Sequence, residues 1–129
     1  MYDIIVTTHF DATHCLRGYP EDFEVPHKHQ WKVAVTVKAT ELDELGMGID
    51  FLVLDKHLKA VVSVIDSQDL NELAVFRHIN PSTEFIAKYI FDNIEGALQN
   101  DRYRLYSVGI AETETSAVVY YGEQLTCFS

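Results

Sequence analysis

Gln30-Trp31-Lys32-Val33-Ala34-Val35-Thr36-Val37-Lys38-Ala39-Thr40 alternates with a period of two. Trp31, Val33, Val35 and Val37 fall on one side and Lys32, Ala34, Thr36 and Lys38 on the other, the pattern of a half-buried strand. Upstream, Tyr19–Pro26 holds two prolines and the acids Glu21, Asp22 and Glu24, which read as a loop. Before it, Tyr2–Phe10 is β-rich and apolar through Ile4, Ile5 and Val6 and predicts a strand. Downstream, Glu41–Gly48 is polar and glycine-punctuated, a turn. Asp55–Ile65 then sets Leu58, Val61, Val62 and Ile65 at helical spacing. A second helix opens at Asn80-Pro81-Ser82-Thr83-Glu84, with a capping residue and an early acid, and runs to about Leu98. Phe85, Ile86, Tyr89, Ile90 and Ile94 form its apolar stripe. Tyr103–Ala111 and Ala117–Tyr121 close as two strands around Glu112-Thr113-Glu114-Thr115. Strands and helices in separate runs, ββααββ, predict an α+β fold with an antiparallel sheet.

No linker, repeat or biased tract divides the 129 residues, so residues 1–129 are expected to form a single domain. Twenty acidic against ten basic side chains leave a net charge of −10, with six histidines neutral. That balance excludes a general nucleic-acid binder, which must neutralise phosphates, while a small anionic substrate in a local basic pocket stays open. No apolar run approaches the ~20 residues that span a bilayer, and no signal-peptide pattern stands at the start. Cys15 and Cys127 are far apart and form no disulfide framework. The cytoplasm is the expected location, with no membrane and no nucleic-acid partner.

Chemistry concentrates at three histidines. His27 and His29 are two apart at the entrance to the alternating strand, so on extended backbone both rings share a face. Joined by His14, such a pair can hold zinc (Zn2+) with a fourth position open, the arrangement of catalytic zinc. The spacing equally fits a solvated His-Lys-His strand end beside a hydrogen-bonded loop histidine. His9, His57 and His78 have no matching partner.

Several segments, in order, carry a resemblance. Phe10-Asp11-Ala12-Thr13-His14 resembles the F-x-A-x-H segment of the 6-pyruvoyl-tetrahydropterin synthase and 6-carboxytetrahydropterin synthase family, and His27-Lys28-His29-Gln30-Trp31 its H-G-H-polar-aromatic segment. Gly48-Ile49-Asp50-Phe51, Asp66 with Leu70-Asn71, Asn80–Glu84 and Glu112-Thr113 are similar to further family stretches. The resemblance covers essentially the whole chain. It implies a T-fold: a four-stranded antiparallel sheet with two helices on one face, assembled into an oligomeric barrel, usually a homohexamer of two trimers, with active sites between subunits. It implies zinc held by His14, His27 and His29 and coordinating the side-chain hydroxyls of 7,8-dihydroneopterin triphosphate. Glu112, with Thr113, would bind the pterin; a carboxylate can accept two parallel hydrogen bonds from an aminopyrimidine edge. Arg17, Lys28, Lys32 and Arg77 are the basic candidates for the triphosphate.

The chain departs from the family at its proton-transfer residues. Phe23 stands where the family has its cysteine base, and Ser67 where a histidine follows the aspartate, here Asp66. Asp66 is left to orient a neighbouring group. Glu24, three residues before His27, is the candidate replacement base, resembling a family branch that cleaves the side chain to 6-hydroxymethyl-dihydropterin; the run Glu21, Asp22 and Glu24 also fits a solvated loop. Cys15, adjacent to His14, is expected to point away from the metal face, and Lys28 replaces a family glycine. The expected activity is therefore that of a zinc-dependent lyase or aldolase-like enzyme on a pterin. The alternatives are a non-catalytic zinc- and pterin-binding paralogue and, more remotely, a metal-stabilised structural oligomer. The open edges of a two-hairpin sheet, with the Gln30–Thr40 strand among the liabilities, call for pairing with another subunit.

Overall fold

The computed structural model describes residues 1–18 and 25–125. Strand β1 (Tyr2–His14) and strand β2 (His27–Ala39) form a long antiparallel hairpin, from Tyr2 opposite Ala39 to His14 opposite His27. Helix α1 (Phe51–Ile65) and a two-residue strand β3 (Gln68–Asp69) follow, then two single 3-10 turns and helix α2 (Thr83–Ile94). Strands β4 (Tyr103–Thr113) and β5 (Ser116–Tyr120) complete a five-stranded sheet of order β3-β1-β2-β4-β5. The α+β class, the element order and the antiparallel core of the sheet are as the sequence predicts. The fifth strand is not. β3 lies parallel to β1 at Ala12 and Thr13, and two residues are too few to show a period.

Alternation in β2 buries Trp31, Val33, Val35, Val37 and Ala39 against the helices. They join Phe10 and Ala12 of β1 and Leu105, Val108 and Ile110 of β4 in one hydrophobic core. The β2 edge is no liability, because β1 and β4 pair it on both sides. Open backbone edges belong instead to β1 below its β3 contact and to β5.

Helix α1 starts four residues before the predicted Asp55. Asp50 caps it, its carboxylate accepting the Leu52 N–H at 2.8 Å, and Leu54, Leu58, Val62 and Ile65 face inward. In α2, Ser82 caps through the Phe85 N–H at 3.2 Å. Its buried stripe is Ile86, Ala87, Ile90, Phe91 and Ile94. Phe85, expected inside, is turned out. No helix among the described residues is long and apolar enough to cross a membrane.

Candidate metal centre

The β1–β2 hairpin and the β2–β4 ladder bring the end of β1, the start of β2 and the end of β4 to one corner of the sheet. His14, His27, His29 and Glu112 meet there, on the helix-facing side, with one ligand atom from each inside a 4.8 Å span. Glu112 Oε1 lies 3.2 Å from His14 Nε2, 3.6 Å from His27 Nε2 and 2.9 Å from His29 Nε2.

Second contacts orient the rings. The His14 Nδ1–H donates to the Pro81 carbonyl at 2.7 Å, and the His27 Nδ1–H to the Val25 carbonyl at 3.1 Å. Carbonyls only accept, so in the neutral rings both Nε2 atoms present lone pairs to the centre. Trp31 forms the floor: His14 and His29 stand edge-on to it, with centroids 4.8 and 5.5 Å away. Its indole N–H donates to the Ala12 carbonyl at 3.2 Å. On the far side, Thr83 in the first turn of α2 donates its hydroxyl to Glu112 Oε2 at 3.4 Å.

The donor set fits a divalent cation. Although only 2.9 Å from Glu112 Oε1, His29 Nε2 is out of line for a hydrogen bond, and this buried nitrogen has no such partner among the described residues. Burial holds the His29 imidazole below the usual histidine range, against the upward pull of Glu112 and with a further downward push from His27 and His14. A neutral imidazole is the form that ligates a metal. Lone pairs from several rings converging on a carboxylate oxygen repel one another unless positive charge lies between them.

Other predicted site residues lie elsewhere. Asp66 is exposed and its carboxylate accepts the Asp11 N–H at 3.0 Å, on the outer side of β1. Ser67 beside it has φ 63, the only positive φ among the described non-glycine residues. Thr113 is exposed, one position past Glu112, with its hydroxyl 3.3 Å from that of Thr115. Lys28 sits in regular β2 opposite Thr13, exposed and without left-handed backbone. The Arg17 guanidinium is tied to the carbonyls of Phe76 and Ile79. Cys15 is half-buried, its backbone bracketed by the Asn71 amide. Phe23, Glu24 and Cys127 lie outside the described residues. Pro81, Thr83 and Val25 carry no sign of the site in the sequence; Pro81 and Thr83 flank Ser82, the residue that caps α2.

The 6-pyruvoyl tetrahydropterin synthase family model matches residues 3–123. The chain belongs to that family. A human 6-pyruvoyl tetrahydrobiopterin synthase is 33% identical over 99 residues, covering 75% of this chain and 67% of the relative. A Bacillus subtilis 6-carboxy-5,6,7,8-tetrahydropterin synthase is 35% identical over 100 residues, covering 73% and 66%. Among solved structures, a Caenorhabditis elegans 6-pyruvoyl tetrahydropterin synthase superposes with TM-score 0.80 at 23% identity, covering 94% of this chain and 95% of that one. A Plasmodium vivax 6-pyruvoyltetrahydropterin synthase, solved with a catalytic glutamate replaced by alanine or cysteine, gives TM-score 0.66 at 14% identity over 92% and 96%. These structures share the T-fold, five-stranded here.

Proposed function

We propose that this chain is a zinc-dependent, cytoplasmic 6-pyruvoyl-tetrahydropterin synthase-like enzyme acting on 7,8-dihydroneopterin triphosphate or a related pterin, as one T-fold domain. The observation that carries the reading is the convergence of His14, His27, His29 and Glu112 at one corner of the sheet. The histidines hold the metal, which when bound supplies a Lewis acid that polarises substrate oxygens. Glu112 takes the aminopyrimidine edge of the pterin, with Thr113 beside it in sequence. Its charge suits this role, because the first turn of α2 favours an anion there.

Glu24 is the proposed base. It takes the proton of the outer substrate side-chain hydroxyl; the carbon bearing that oxygen leaves as an aldehyde together with the triphosphate-bearing carbon, and the ring-side carbon takes up a proton to give 6-hydroxymethyl-dihydropterin. Phe23 and Ser67 leave the cysteine–histidine route without its groups, and a glutamate is catalytic in the P. vivax enzyme. Asp66 acts by positioning, from a neighbouring subunit. The open edges of β1 and β5 support a homo-oligomer, a hexamer by family resemblance, which light scattering at micromolar concentration tests.

The deciding experiment incubates zinc-loaded protein with dihydroneopterin triphosphate and identifies the product. Glu24→Gln should lower turnover roughly 10²-fold or more while zinc content and pterin binding persist. Unchanged turnover removes Glu24 from the mechanism. Tight pterin binding without turnover in the wild type establishes instead the non-catalytic paralogue, a reading that Phe23 and Ser67 favour.

A further inference from the structure

The face of the sheet turned away from the helices is charged unlike the rest of the molecule. Alternation sets Lys28, Lys32 and Lys38 of β2 there, and Arg104 of β4 joins them, four of the ten basic side chains of a chain with net charge −10. At the end remote from the histidines, Lys38 stands directly opposite Arg104 in the β2–β4 ladder. Like charges placed so repel, and the pair costs stability as it stands. Asp3 accepts one N–H of the Lys38 ammonium at 2.8 Å, which leaves that group two further donors. The Arg104 guanidinium is exposed, with no hydrogen bond or ion pair among the described residues. A cavity of about 420 Å3 opens at this end, walled by Lys38, Thr40, Arg102, Tyr103, Arg104 and Tyr106, with Asp101 as its acid. Arg102 Nη1 donates to the Gly48 carbonyl at 3.1 Å, and the Lys38 ammonium sits 4.2 Å from the Tyr106 ring centroid. Two of the three cations are thus held in place before any ligand arrives.

We propose that this cavity is an anion site for an oligophosphate, either inorganic or carried as the phosphate chain of a nucleotide. Three cations around one cavity suit several linked phosphates, and guanidinium forks take phosphate oxygens two at a time. The volume falls in the range of small-ligand pockets. An anion between Lys38 and Arg104 replaces their mutual repulsion by attraction to a common partner. The site is separate from the metal centre of the same chain: from His29 to Lys38 strand β2 rises about 30 Å, and the two residues face opposite sides of the sheet. It stands independently of the pterin reading.

Isothermal titration of the full chain with sodium tripolyphosphate, at low salt and without added divalent cation, tests the site. The wild type should bind about one equivalent per chain. Arg104→Gln and Lys38→Gln should each weaken binding about 10-fold or more, whereas Arg104→Lys, which keeps the charge, should stay within about 3-fold of the wild type. Tripolyphosphate should also raise the melting temperature of the wild type and leave that of Arg104→Gln nearly unmoved. The double variant His27→Ala/His29→Ala should bind tripolyphosphate as the wild type does, which excludes withdrawal of zinc as the source of the heat. ATP in place of tripolyphosphate distinguishes the two carriers: tighter binding of ATP assigns the tyrosine walls a base to stack on, and equal binding assigns the phosphates alone. A wild type that binds no tripolyphosphate overturns the site, as does equal affinity in the wild type and both glutamine variants. Loss of binding in the histidine variant places the anion at the metal corner and overturns the assignment as well.

Discussion

Trp31 ties the stability of the core to the geometry of the metal centre, and Trp31→Phe separates the two. The indole is fully buried, lies parallel to Phe10 at a centroid distance of 6.0 Å and donates to Ala12. Phenylalanine refills most of the slot but has no N–H. Losing a buried hydrogen bond costs about 1–2 kcal/mol, and the space left by the smaller ring adds about 1–2 kcal/mol. At a urea slope of about 2 kcal/mol/M, the roughly 2–4 kcal/mol total lowers the unfolding midpoint by about 1–2 M. Circular dichroism in chelator reads this free of metal effects. His14 and His29 also lose part of the ring face they lean on. Zinc affinity, measured against a competing chelator, should fall about 10-fold, the low end for a supporting contact. A midpoint shift under about 0.3 M with unchanged zinc affinity would refute the view of Trp31 as the floor of the site.

Protein expressed with zinc available should carry about one zinc per chain, and the double variant His27→Ala/His29→Ala should carry none by elemental analysis. Metal-free protein should lose stability as pH falls through about 6.5, because the unfolded His29 takes up a proton there while its buried folded form resists until lower pH. Melting curves in chelator across that window should flatten in His29→Gln; an identical pH profile in the variant removes His29 as the source. Gly122 has φ +70, and an added Cβ would fall 2.6 Å from Phe91 Cζ. Gly122→Ala should therefore destabilise by about 2–4 kcal/mol in urea titration, the left-handed backbone and the displaced ring both contributing.

Much of the fold is legible because one face of each element is buried. From Trp31 to Ala39, β2 shows its period at every position, since its inward side chains there are all apolar and its outward ones small or polar. The end of β1 is hidden by Asp11, Ala12 and His14, which lack a strand signature and are extended because they pair with β2. The start of α1 is masked by Phe51, Leu52 and Val53, apolar yet exposed; the usable signal there is the cap at Asp50. In α2 two overlapping apolar stripes compete, and packing against β4 and β5 selects the one with Ala87 and Phe91 over the one with Phe85.

That His27 and His29 share a face is legible from spacing, whereas Glu112 needs the resemblance, because its place depends on a defect in the ladder. On β4 both Leu105 and Ile110 face the core, five residues apart, which strict alternation forbids. A bulge resolves the conflict: Thr36 pairs with Ser107 but Val37 with Leu105, leaving Tyr106 as the extra residue. Beyond it, Lys32 pairs with Ala111; Glu112 follows where the β4–β5 ladder shifts register between Ala111 and Thr113, and its carboxylate joins His27 and His29. With Leu105 inward and no bulge at Tyr106, parity would be inverted from Val108 to Ala111, and the chain would reach Glu112 with its faces exchanged. Tyr106 holds that irregular position through its ring, which meets Tyr121 at 5.4 Å and lies under the Lys38 ammonium at 4.2 Å. The chemistry of the corner is thus set partly by an aromatic residue near the other end of β4, and no motif at the site itself encodes it.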